Sequence, residues 1–99
     1  MSTDKKTESN EFGKYAIKGS DIPRQALFRD LRATYMDKYG KNNRELAEYL
    51  EISPQSCSTL ASGTDKRQPA WYVIMRLLES LDLELVLQSD KIHVRNKDT

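Results

Sequence analysis

The chain has 99 residues, 37% hydrophobic and 31% charged, with a formal net charge of +1; that suffices for one modest core and is too little for two. Its single cysteine excludes an internal disulfide and fits a reducing cytoplasm, the absence of a run of about 18 apolar residues predicts no membrane span, and the polar beginning has no signal-peptide core. The charge is unevenly spread: residues 12–45 carry eight basic against four acidic side chains, +4, which leaves −3 for the remainder, so a basic face is compatible with a nearly neutral protein.

Residues 1–11 are polar, mixed in charge and without apolar periodicity, the composition of a disordered tail. From Phe12 to Lys18, Tyr15 and Ile17 alternate with lysines, which suits a short strand or extended arm. Two roles are open for it: a basic arm lying along DNA, or a tether packed on the first helix. That helix is predicted from Pro23, after the turn signals Gly19, Ser20 and Asp21, to Tyr39, where Gly40 stops it. Leu27, Phe28, Leu31, Tyr35 and Tyr39 gather on one face at helical spacing and form its core stripe.

Asn42 to Gly63 reads as two short helices with a tight turn between them. Asn42 caps the first, and Glu45, three residues on, completes a capping box; Leu46, Ala47 and Leu50 supply the apolar stripe. The amide-rich start of this helix, with Arg44 beside it, is a natural anion site. Ser53 followed by Pro54 signals a second start, since serine accepts from the free amides while proline at the first position loses no hydrogen bond. This second helix, Pro54 to Ser62, ends at Gly63 and turns Cys57, Leu60 and Ala61 inward. Gln55, Ser56, Ser58, Thr59 and Ser62 face outward without a single charge, although glutamate and lysine would favour helix more than serine and threonine do. Short donors and acceptors of this kind suit the base edges of a major groove, where glutamine pairs bidentately with adenine. Gln55, Ser56, Ser58 and Thr59 are the candidate base-reading residues.

The following loop, Thr64 to Pro69, holds Lys66 and Arg67 beside that helix, where cations can neutralise phosphates flanking the groove. A last helix is predicted from Ala70 to Leu81, with Ile74, Leu77, Leu78 and Leu81 as its core stripe and Trp71, Tyr72 and Met75 widening the apolar surface beyond one face. Either Trp71 roofs the small core, or Trp71 and Met75 meet another subunit. The period then changes to two: Leu83, Leu85 and Leu87, a Ser89–Asp90 turn, and Ile92 and Val94 predict a β-hairpin over 83–95, followed by a tail, 96–99. A lone hairpin is marginal in water. It needs a further surface, supplied by a symmetric second hairpin or by the Tyr15–Ile17 segment.

The run ELAEYLEIS, a serine-rich helix ending in Ser62–Gly63, a basic loop, Pro69 and a leucine-rich helix together resemble the phage-repressor-like (Xre/Cro-type) helix-turn-helix family over residues 42–87. Leu46, Ala47, Leu50, Ile52, Ser53, Gly63 and Pro69 carry the match. One departure is Glu51, where the family usually has glycine; a non-glycine residue in a left-handed turn costs about 1 kcal/mol. The resemblance implies a mainly α fold, a compact four- to five-helix helix-turn-helix domain over 12–82 with the C-terminal β-hairpin as dimerisation element. It also implies that Asn43 and Arg44 hold the DNA backbone, the role expected of Lys66 and Arg67 from their place in the loop and of Ser62 at the helix end. Antitoxin members of such families end in strands that join across a dimer, which extends the expected interface from Trp71 and Met75 to Leu85, Leu87, Ile92 and Val94.

Catalysis has little support in the sequence. His93, the one histidine, lies on the polar side of a predicted strand with no nucleophile or carboxylate motif around it, and Cys57 on an apolar stripe is by default a small buried thiol. No glycine-rich phosphate loop and no spaced Cys/His set is present, so no cofactor or metal is expected. The expected function is that of a cytoplasmic, bacterial or phage-encoded homodimeric regulator, a repressor binding double-stranded DNA and reading half-sites about 34 Å apart. The alternative is a protein-binding module, such as a toxin-neutralising antitoxin, in which DNA binding is secondary.

Overall fold

Local capping chemistry sets most of the helix boundaries. The computed structural model describes residues 11–18, 22–64 and 67–97; the expectations for residues 1–10, for Lys66 and for residues 98–99 lie outside them. The described residues form two compact units, one spanning Arg24–Leu81 and the other built from the segments before Arg24 and from Asp82 onward.

The first unit contains four helices: α1 (Arg24–Tyr39), α2 (Asn43–Leu50), α3 (Pro54–Ser62) and α4 (Trp71–Ser80). Helix α1 packs against the other three. Leu27, Phe28 and Leu31 on it are fully buried, as their spacing predicts. Gly40, at φ +62, takes the left-handed conformation that ends the helix, and Lys41 N–H closes the turn on Met36 O at 3.0 Å. Tyr39 departs from the predicted core stripe. Its ring is 42% exposed, tilted against Tyr35 at 4.8 Å, and its hydroxyl donates to the Ser80 carbonyl; the polar tip holds the side chain at the rim.

The capping box of α2 is formed in both directions: Glu45 N–H donates to Asn42 Oδ1 at 2.8 Å, and Asn42 N–H to Glu45 Oε1 at 3.0 Å. The helix stops at Glu51, whose φ of 60° and ψ of 41° are left-handed, while Ile52 N–H reaches back to Ala47 O at 3.0 Å. The turn geometry usual with glycine is thus adopted by a glutamate. Glu51→Gly is therefore expected to stabilise the protein by about 1 kcal/mol, read as a raised urea midpoint at unchanged m-value. The exposed Glu51–Arg76 pair it removes, at 3.8 Å, offsets little of that gain.

Helix α4 buries Val73, Ile74, Leu77 and Leu78, with Leu81 just past its end, while Trp71, Tyr72 and Met75 stay exposed.

The second unit is a three-stranded antiparallel sheet of β1 (Glu11–Ala16), β2 (Leu83–Leu87) and β3 (Lys91–Asn96), in the order β1-β3-β2. The hairpin forms as its alternation predicts, and the Phe12–Lys18 segment is a strand that pairs with it, starting one residue earlier than expected. Register sets Tyr15 opposite Ile92 and Lys14 opposite His93, and on the other side Leu85 opposite Val94 and Glu84 opposite Arg95. Ile92 and Val94 therefore share one face with Leu83, and these three are buried; Arg95 and Glu84 share the other face in an ion pair at 2.8 Å. This corrects the expected interface. β3 is central, both of its edges are occupied, and Ile92 and Val94 are 0% exposed, so neither offers a surface to a second subunit. Leu85 is half-buried, and Leu87, 66% exposed, remains outward.

Candidate nucleic-acid interface

The outward side of α3 begins at its cap. Ser53 Oγ accepts from Ser56 N–H at 3.0 Å, Pro54 occupies the first helical position, and Gly63, at φ +81, ends the helix. Cys57, Leu60 and Ala61 are buried beneath it. At the far end Gln25 on α1 donates to the Ala61 carbonyl at 2.7 Å, so both ends of the rod are fixed.

Gln55, Ser58, Thr59 and Ser62 fall at i, i+3, i+4 and i+7, one stripe along the helix. Gln55, Ser58 and Ser62 are exposed, and Thr59 is half-buried. Ser56 is half-buried, and its hydroxyl oxygen accepts from Ser53 Oγ at 2.9 Å, which ties it to the cap. The Ser62 hydroxyl lies 3.2 Å from Thr59 O and 3.0 Å from Thr64 Oγ1, extending the polar edge past the helix end. Gln55 and Ser58 are exposed and carry no such local bond.

Two candidate cations precede and follow α3 in the chain. Arg44 on α2 and Arg67 after Gly63 are both exposed. Asn43 has another occupation than the expected phosphate contact. Its Nδ2 donates to Pro54 O at 2.8 Å, and its Oδ1 accepts from Arg32 Nη2 at 3.0 Å. The side chain is a strut that joins α1 and α2 to the first turn of α3. Arg32 is the part that sequence reasoning missed. Only the proximity of residues 11 apart in the chain reveals it, and the one prior signal is an asparagine directly after a capping residue.

The Arg32 Nε is buried with no hydrogen-bond partner, while Nη2 of the same guanidinium donates to Asn43 Oδ1. Asn43→Ala leaves that charge less satisfied and frees Pro54 O, an expected loss of about 1–3 kcal/mol, measurable by chemical denaturation with Asn43→Asp as the variant that retains the acceptor. Below α3, burial raises the Cys57 thiol above its ordinary value, while the neighbouring Arg32 pulls the other way. The thiol is neutral at pH 7 and enclosed, which makes it a core residue rather than a nucleophile.

Among the described residues no group of three or more His, Cys, Asp or Glu side chains is gathered to hold a metal ion, and no helix is long and apolar enough to cross a membrane. Comparisons with known proteins found no match among family models, curated proteins or solved structures.

Proposed function

We propose that the chain is a sequence-specific, double-stranded-DNA-binding transcriptional regulator of the phage-repressor-like helix-turn-helix kind, acting in the cytoplasm as a homodimeric repressor, with α3 in the major groove. The observation that carries this reading is the exposed, charge-free stripe of Gln55, Ser58 and Ser62 on a helix fixed at both ends. A rod of this kind can approach base edges without repelling phosphate, and short side chains let it approach closely. Gln55 and Ser58 read bases, with Thr59 and Ser56 supporting; Arg44, Ser62 and Arg67, together with Lys66, hold the backbone.

Selection of bound sites from a random duplex library, followed by titrations at two salt concentrations, tests the reading. Gln55→Ala should cost about 1–3 kcal/mol on the selected site and little on random DNA. Replacing Arg44 and Arg67 by alanine should weaken binding to all sequences and lower the salt slope by about one per lost cation. Absence of any salt-dependent binding by the unmodified chain would remove the reading.

A second reading, a protein-binding module such as a toxin-neutralising antitoxin, is favoured by the exposed Trp71, Tyr72, Met75 and Leu87. It predicts that capture of a partner is insensitive to the α3 substitutions.

A further inference from the structure

We propose that the outward face of α4 is a self-association surface. A second copy of this chain docks on it through the same face, related by a two-fold axis at Met75, so that Glu79 of each copy meets the Arg24–Trp71 pair of the other. The inference deepens the regulator reading, on which it rests only in that a two-half-site operator calls for a two-fold pair; the contact itself is independent of DNA.

Three of the five large apolar side chains exposed among the described residues, Trp71, Tyr72 and Met75, lie on this one helix, at 36%, 48% and 55% exposure. They are not needed for the core, which Val73, Ile74, Leu77 and Leu78 fill from the opposite side. Tryptophan, tyrosine and methionine are the residue types enriched where proteins meet. Two of them are already held in place. The Tyr72 hydroxyl donates to Leu50 O at 3.3 Å, and the Arg24 guanidinium, itself donating to Pro69 O, stands 5.7 Å from the Trp71 ring centre. Such fixed side chains lose less freedom on association.

Charge identifies the occupant. Trp71, Met75 and Glu79 follow one another at intervals of four residues, so Trp71 and Glu79 lie about 6 Å to either side of Met75 along the helix. A two-fold axis through Met75 with antiparallel helices superposes the Trp71 end of one copy on the exposed Glu79 of the other. The cation at one end, Arg24, thereby faces the anion at the other, twice. An isologous contact must be self-complementary in this way. The three side chains present on the order of 300 Å², against the ~800 Å² per partner of a standard interface, so the contact is a weak one, in the micromolar range, which a duplex carrying two half-sites reinforces.

Analytical ultracentrifugation of the full chain from about 5 to 500 μM tests this. The wild type should show a reversible monomer–dimer equilibrium, and Met75→Arg, which sets two arginines against each other on the axis, should raise the dimer dissociation constant at least tenfold with an unchanged circular dichroism melt. Glu79→Arg and Arg24→Glu should each be monomeric alone. Mixed in equal amounts they should pair, because both contacts of the mixed dimer are then between opposite charges. A wild type that stays monomeric, a Met75→Arg variant that dimerises like the wild type, or a mixture that fails to pair although both variants are folded would overturn the proposal. Binding of a single half-site by Met75→Arg, measured in parallel, reports on the α3 reading separately.

Discussion

Phe28→Ala is expected to lower the unfolding free energy by about 3–5 kcal/mol, the range for truncating a large buried aromatic. Phe28 is fully buried in the middle of α1, the helix that packs against the other three, so the cavity opens where no single neighbour can collapse to fill it. Domains of this size have roughly 5–15 kcal/mol in total, which leaves the variant close to its unfolding transition. Urea denaturation measures the loss, and Phe28→Leu, which keeps most of the volume, should recover most of it. Equal stability of the wild type and Phe28→Ala would mean that the helices do not share one core.

The second large effect concerns binding. Ser58→Asp should reduce DNA affinity by roughly 10²–10³-fold on every sequence, because like charges brought together at an interface cost several kcal/mol. Ser58 is exposed at the middle of α3, away from the capping and strut bonds, so the fold should be unaffected. Ser58→Ala is the control: it removes a hydroxyl without adding repulsion and should cost far less. Fluorescence anisotropy with the selected site and with random duplex separates the two. If Ser58→Asp bound DNA as the wild type does, the outward edge of α3 would not face the duplex.

What could be read from the sequence followed the range of the interaction. Asn42 with Glu45, Ser53 with Pro54, and Gly63 act within one turn of chain, and each forms as its residue types dictate. The left-handed turn at Glu51 was legible through the resemblance, which has glycine at that position. Longer-range pairing was harder to read. Alternation marks Ile92 and Val94 as one apolar face and leaves open whether a second hairpin or the Tyr15–Ile17 segment completes the sheet; the segment does, and the two side chains read as an interface through the antitoxin resemblance are interior. Asn43 looked like a phosphate ligand because nothing in the order of residues announces Arg32 and Pro54 as its neighbours. Ser56 was placed correctly on the helix, yet its hydroxyl is claimed by the cap beside it.

The strand that both others pair with is also the last to be made. β1 emerges first and finds its partner only when β3 has been translated, roughly 4–16 s later at ordinary bacterial and eukaryotic elongation rates, whereas α1 to α4 need only residues already synthesised. The helices thus need no residue from β3, and a prematurely released chain that lacks it would display an unfinished strand edge to chaperones and proteases.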